Sequence, residues 1–308
     1  MVQKESAYSM KKNIAIGIVG LGTWGKKYLQ TLEQFHTGPI YLCDINNQKI
    51  EDLNLKSYIT LEYRKIVERK DIKAVIITTP DQTHYSLARD ALIHDKDVLV
   101  EKPMTFKTSE AHELVEIAQN RRLVLAVAHT PLFTTSYKRL NSYLKSNQLI
   151  NVIRIEAVRT SRGRENISSP LWDLASHDIA IAVSLLGKPR YFSCSVNTSE
   201  LCRYELGFAN GLTFAGEAKW TQPPFQRVIR IFTQNEVHEY HEPIGNDIPA
   251  TELPPLTQMC QNFIESCVKR LKPVNNGELG KQVVECLEII DNLMKINNHE
   301  IICNNSRI

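Results

Sequence analysis

Asp173 and His177 stand four residues apart in the run Trp172-Asp173-Leu174-Ala175-Ser176-His177-Asp178-Ile179. On a helix that spacing places both side chains on one face. Oxidising an alcohol needs a group that takes the hydroxyl proton as hydride leaves. An imidazole oriented by a carboxylate suits that role, and so does a lysine beside a cationic ring. The plainer reading makes Asp173 an acid that complements the dipole of a helix's first turn, and His177 a helix histidine satisfied by its neighbours. Ala180 and Ser184 continue the face with small side chains that leave room for a ligand, whereas Ile181 at its edge packs into the core.

A second set of residues lies earlier in the chain. Gly20-Leu21-Gly22-Thr23-Trp24-Gly25 fits G-x-G-x-x-G between an apolar strand and a helical pattern. In that context the first glycine permits a tight turn, the second lets the backbone approach a pyrophosphate, and the third allows close packing of helix on strand. The helix start then offers free N–H groups to the phosphates. Glycines serving only a turn are the alternative. Asp44 ends the next strand, where an acid accepts hydrogen bonds from the adenosine ribose. A carboxylate there repels a 2′-phosphate, and its neighbours Ile45, Asn46 and Asn47 supply no arginine, so NAD is the expected cofactor. Lys49 nearby keeps NADP open, and Asp44 as a plain turn residue is the simpler reading. Thr79-Pro80 with His84, and Glu101-Lys102-Pro103, follow two further apolar runs. They fall on the edge of an open parallel sheet where ligands bind.

These residues need elements to hold them. Apolar runs at residues 14–19, 40–43, 74–78, 97–100 and 124–127 alternate with helical patterns at 24–35, 61–68, 83–94 and 108–120. Unbroken apolar runs mark parallel strands covered on both faces, so the alternation predicts a doubly wound Rossmann sheet. After His129 the pattern changes. Residues 133–146 read as a crossing helix and 152–159 as a strand. Residues 170–186 read as a helix capped by Ser169, begun by Pro170 and stopped by Gly187 and Pro189. Strands follow at 191–198, 203–208, 212–220, 227–233 and 236–241, with Asn210-Gly211 as a hairpin turn. A connector containing Pro243, Pro249, Pro254 and Pro255 leads to helices at 257–271 and 278–296. The expected fold is α/β: a Rossmann domain over residues 1–128, then an α+β domain over 129–308 with a mostly antiparallel, open sheet. Tyr204, Phe208 and Phe214 read as core. Arg159, Arg162 and Arg164 precede the 170–186 helix, where they would either hold a substrate phosphate or carboxylate or line a solvated loop.

The ordered set Gly20–Gly25, Thr79-Pro80 with His84, Glu101-Lys102-Pro103, and Asp173 with His177 resembles the glucose-fructose oxidoreductase / inositol dehydrogenase / MocA family of NAD(P)-dependent oxidoreductases, from about Ile14 to the end. Ala128-His129-Thr130 with Leu132-Phe133, together with Trp172–Ile179, is similar to a branch often found with sugar and nucleotide-sugar metabolism. The resemblance implies a dehydrogenase or reductase acting on CH–OH groups. In it Lys102 binds the substrate hydroxyl and assists proton transfer, His177 is general acid/base, and Asp173 is its orienting or substrate-binding partner. Gly20, Gly22, Thr23, Trp24, Gly25, Asp44, Thr79, Pro80, His84, Glu101 and Lys102 make up the cofactor side. Glu101 and Pro103 shape the nicotinamide site, with a cis Lys102–Pro103 bond. Ala175 stands where the family often has glycine and Ala180 where it often has an acid, so the substrate does not carry over. A dinucleotide-binding sensor without catalysis and a C=N reductase are the rival functions.

Composition narrows the rest. With 308 residues, 43% hydrophobic and 23% charged, the chain suits two globular domains. A formal net charge of +3 gives no electrostatic case for nucleic acid or acidic membranes. Residues 1–13 are polar, are expected to be loose, and lack the apolar run of a signal peptide; no stretch approaches the roughly 18 apolar residues of a membrane span. The cytoplasm is the expected location and a small-molecule sugar or nucleotide-sugar the expected partner. An open sheet favours a homo-dimer or homo-tetramer. Seven cysteines without C-x-x-C or zinc-ligand spacing read as reduced, mostly buried thiols, and no metal is expected.

Overall fold

The computed structural model describes residues 14–46, 59–60, 62–146, 151–163, 169–244, 252–295 and 301–302. Residues 1–13, Asn47, Lys49, Arg164, Pro249 and Cys303, all drawn on above, lie outside the described residues.

Strands and helices alternate up to residue 127: β1 (Ala15–Val19), α1 (Thr23–Glu33), β2 (Ile40–Cys43), β3 (Ile59–Thr60), α2 (Tyr63–Glu68), β4 (Ile72–Ile77), α3 (His84–Ile93), β5 (Asp97–Val100), α4 (Thr108–Asn120) and β6 (Leu125–Val127). The six strands form one parallel sheet in the order 3-2-1-4-5-6, the doubly wound arrangement whose carboxyl edge receives dinucleotides. Strands β1, β2, β5 and β6 are buried at every position, as unbroken apolar runs require when helices cover both faces. Strand β3 is an addition to the expected set. Its two residues pair with Tyr41 and Leu42 at the sheet edge and carry no apolar run of their own. Strand β4 begins at Ile72 rather than Ala74, because Ile72 pairs with Ala15 across an irregular register.

The second half contains α5 (Thr135–Ser146), β7 (Val152–Ser161), α6 (Ser176–Leu186), β8 (Tyr191–Asn197), β9 (Leu201–Gly207), β10 (Thr213–Trp220), β11 (Arg227–Thr233), β12 (Val237–His241), α7 (Pro255–Lys269), α8 (Gly277–Lys295) and β13 (Ile301–Ile302). Its seven-stranded sheet runs 12-11-7-10-9-8-13, antiparallel except for the parallel pair β7–β10. Asn210 and Gly211 turn β9 into β10: the Gly211 N–H donates to Phe208 O, and the Phe208 N–H to Leu212 O. Tyr204, Phe208 and Phe214 are buried.

Helix α6 starts differently from expectation. Leu171–Ala175 is wound as a π-turn ahead of it, and Ser169 does not cap the helix, since its hydroxyl has no partner. The Asp173 N–H that a capping hydroxyl would satisfy already donates to the Ser169 carbonyl at 3.0 Å. Further on, α8 packs against α6 and β8, but also against α4 and β6 of the first sheet. Glycine at 280 allows that approach, because a Cβ there would lie 2.4 Å from Val127 Cγ2. Gly280→Ala therefore overpacks a filled interior, and we expect a loss of about 1–2 kcal/mol in urea unfolding. Unchanged or raised stability would show that Val127 yields freely.

Candidate active site

The first sheet delivers its polar residues to one edge. After β1 comes the glycine loop. Gly20 has φ +93°, and a Cβ on Gly25 would meet Gly20 O at 1.9 Å, so neither position accepts a side chain. A Cβ on Gly22, by contrast, would project into open space, and α1 begins at Thr23 with no side-chain cap on its N–H groups. That combination fits a dinucleotide pyrophosphate. Two neighbouring strands clamp the loop. The Thr78 hydroxyl donates to Gly20 O at 2.6 Å, and Asp44 Oδ2 accepts the Leu21 N–H at 2.6 Å. Its other oxygen, Oδ1, accepts the Asn46 N–H at 2.8 Å, so the carboxylate ties its own turn to the glycine loop. Thr78 closes the apolar run at 74–78, and nothing in the local pattern marks it as a loop clamp.

His84 is fully buried. Its Nδ1 lies 2.8 Å from Pro103 O and its Nε2 2.9 Å from Thr79 O. It therefore ties together the loops after β4 and β5. Thr79 itself is held through the Thr83 hydroxyl, which donates to Thr79 Oγ1 at 2.7 Å. Within the loop after β5, the Lys102–Pro103 bond is cis. Glu101 is enclosed: Oε1 accepts from the Tyr28 hydroxyl at 3.0 Å and Oε2 from the Lys102 N–H at 3.2 Å. Burial pushes its pKa up to about 7, against the pull of the Lys102 charge and these donors.

Lys102 crosses to the second half of the chain. Its Nζ donates to Asp173 Oδ1 at 2.6 Å and to Asp173 O at 2.8 Å, with the two side chains 10% and 2% exposed. Trp220 Nε1 donates to the other oxygen, Asp173 Oδ2, at 3.4 Å. Asp173 thus turns to Lys102 rather than to His177, whose Nδ1 is enclosed without a partner. Both residues still face the same cavity, of about 390 Å³, which also takes in Trp24, Glu101 and Lys102. Lys27, which also lines it, lies 4.5 Å from the centre of the Trp24 ring. Burial drives the His177 pKa well below the ordinary histidine value, and the charges of Lys102 and Arg159 add to the effect. Its ring is therefore neutral.

Arg159 is neither a free anion anchor nor part of a solvated loop. It is buried, and its guanidinium donates to Asp178 Oδ1 at 2.9 Å and to both Glu242 oxygens at 2.7 and 3.1 Å. Burial alone would weaken its charge, but the two carboxylates more than offset that and hold it ionised. Arg162 is exposed. A larger depression, about 730 Å³, lies beside α4 and the turn after α7 and contains none of the strand-end residues. Among the described residues no cluster of three His, Cys, Asp or Glu side chains could hold a metal, and no helix is long and apolar enough to cross a membrane. Cys43, Cys202, Cys260, Cys267 and Cys286 are buried thiols outside any disulfide, and Cys194 is partly buried.

Two outcomes follow from these buried charges. Arg159→Met leaves Asp178 and Glu242 buried without their cation and should cost about 3–5 kcal/mol in urea unfolding; a loss below about 1 kcal/mol would mean the carboxylates find other partners. The second concerns Glu101, which keeps its proton up to about 7 when folded, against 4.5 for an ordinary glutamate. The folded chain binds the extra proton between those values. The stability from this group is therefore full below the window, falls as pH rises through it, and is flat above. Glu101→Gln should flatten that slope when urea midpoints are compared at about pH 5 and about pH 8; a slope equal to that of the parent would contradict the assignment.

Comparison with known proteins places these features in context. Residues 14–129 match the model of an oxidoreductase family with an NAD-binding Rossmann fold. The chain is 26% identical over 194 residues to the uncharacterized oxidoreductase YrbE of Bacillus subtilis (strain 168), a match covering 58% of this chain and 55% of that protein. It is 24% identical over 186 residues to an inositol 2-dehydrogenase of Burkholderia cenocepacia (strain HI2424), covering 57% and 55%. The matched region thus spans about half the length of these curated relatives. The structure of UDP-N-acetylglucosamine 3-dehydrogenase GnnA from Acidithiobacillus ferrooxidans superposes with TM-score 0.75 at 20% identity, over 90% of this chain and 96% of the other. That likeness extends the common fold through both sheets.

Proposed function

We propose, from the match of residues 14–129 to an oxidoreductase family with an NAD-binding Rossmann fold, that the chain moves hydride reversibly between a nicotinamide dinucleotide and a carbinol of a sugar or nucleotide-sugar. The observation that carries this reading is the meeting of Lys102, held by Asp173, with the neutral ring of His177 in one cavity beside the glycine loop. Gly20, Gly22 and Gly25, with the start of α1, would hold the pyrophosphate, and Asp44 the ribose, which favours NAD over NADP. When bound, the dinucleotide supplies the hydride acceptor or donor.

The side chains divide the remaining work. The lysine ammonium has three N–H donors, and Asp173 uses two of them, so one is left for the substrate oxygen. His177 takes the hydroxyl proton in the oxidative direction and returns it in the reductive one. A base with so low a pKa is weak, and it succeeds only if the alcohol is made more acidic. The Lys102 charge supplies that by stabilising the developing alkoxide. Trp24 and the proline-bordered wall enclose the substrate. The names of the relatives, an inositol dehydrogenase and a UDP-sugar dehydrogenase, support a polyhydroxylated substrate. Pairing of copies through the open sheet belongs to the same proposal.

The test is a panel of inositols, sugars and UDP-sugars assayed by nicotinamide absorbance, followed by Lys102→Ala and His177→Ala on the best substrate. Each variant should lose about 10²–10⁴-fold in kcat while dinucleotide binding is retained. Full turnover by both variants sinks the assigned roles. Tight dinucleotide binding with no redox chemistry across the panel would point instead to a sensor.

A further inference from the structure

The Asp173 carboxylate is committed to Lys102 and Trp220, so the proposed base needs another partner to set its proton. His177 Nδ1 is enclosed and makes no hydrogen bond, which leaves Nε2 as the ring nitrogen facing the cavity. For Nε2 to accept a proton from substrate, the ring's own proton must sit on Nδ1. An N–H buried without an acceptor is costly, so that tautomer requires a group to receive it.

The residue packed against the ring is His129. The two imidazoles stand edge to face, with centroids 6.4 Å apart and planes at 87°. His129 follows β6, is 1% exposed, and neither of its nitrogens has a partner. Its neighbours Ala128 and Thr130 line the cavity. Burial and the nearby Lys102 charge push its pKa down to about 3, so it too is a neutral ring with one N–H and one lone pair. Three buried, unpartnered ring nitrogens thus converge between the end of β6 and the first turn of α6. At this separation a direct N–H···N bond is too long, but one enclosed water satisfies a nitrogen on each ring.

We propose that His129 is a positioning residue for the reaction: through one bridging water it accepts the His177 Nδ1 proton, fixing His177 in the tautomer whose Nε2 is free to act as base. This rests on the reading of His177 as the acid/base, and it replaces the carboxylate–imidazole pairing with an imidazole–water–imidazole one. Lys102–Asp173 and His129–His177 then form two separate polar units at the reacting hydroxyl. One sets a charge and the other a tautomer.

The test uses the full chain with ¹⁵N-labelled histidine, so that ring-nitrogen shifts report the His177 tautomer without any substrate. In the parent, His177 should be protonated on Nδ1. His129→Phe keeps the ring volume and removes both nitrogens, and should move His177 toward the Nε2–H form. His129→Asn, which retains an acceptor near the Nδ1 position, should restore much of the Nδ1–H form. On the best substrate, His129→Phe should lower kcat about 10–100-fold with KM little changed, and the asparagine variant should recover part of the loss. A parent His177 protonated on Nε2, or a tautomer unmoved in His129→Phe, overturns the proposal. If His177→Ala retains full turnover, the functional reading of His177 fails instead, and the tautomer measurement separates the two failures. A purely structural role for His129 would lower stability without shifting the His177 nitrogens.

Discussion

At the cavity, the ion pair of Lys102 with Asp173 joins the two halves of the chain. Its partners lie 71 residues apart, in different halves of the chain. Each alone would be a buried charge, and burying an unpaired charge costs several kcal/mol. The lysine stands on the loop after β5, and the aspartate on the π-wound turn that leads into α6. When the pair forms, the carboxyl edge of the parallel sheet is brought against that turn, and the cavity between them is defined. The surrounding polar arrangement depends on the same contact. Glu101 is shut in behind Lys102, Trp220 takes the spare oxygen of Asp173, and His177 is left facing the cavity without a carboxylate.

Another part of the cavity lining is held by a different device. Arg159 on β7 binds Asp178 from α6 and Glu242 from the segment after β12, all three nearly dry. Two carboxylates around one guanidinium satisfy its fork of donors and lock the helix to the sheet. Such a cluster is weak evidence for stability as such. It does place α6 at a fixed depth, and α6 carries His177.

Local patterns made the first sheet legible. Apolar runs gave five of its strands, and the glycine spacing marked the loop after β1, because both depend on neighbours within a few residues. The Asn210-Gly211 turn was readable for the same reason. Interactions across long stretches of sequence were not. The i,i+4 spacing of Asp173 and His177 suggested that they bond each other, yet the stronger attraction of an ammonium 71 residues away claims the carboxylate. Arg159 resembled a loop cation because its partners, Asp178 and Glu242, lie 19 and 83 residues further on. His129 entered only as part of a family-like string, since burial and an unsatisfied ring leave no periodic trace. Strand β3 escaped because two residues carry no pattern at all.

The glycine contact between α8 and β6 has a consequence for how the chain assembles. Leu125 and Val127 on the last strand of the first sheet are covered by Gly277 and Gly280, and Val127 bonds to Asn275 on both its N–H and its carbonyl. Those partners are synthesised some 150 residues later. During translation the first sheet therefore has its full strand order long before its outer edge is sealed. A nascent chain stalled within the second sheet would present an apolar, unpaired strand edge to its surroundings, the kind of surface that chaperones shield and that aggregation exploits.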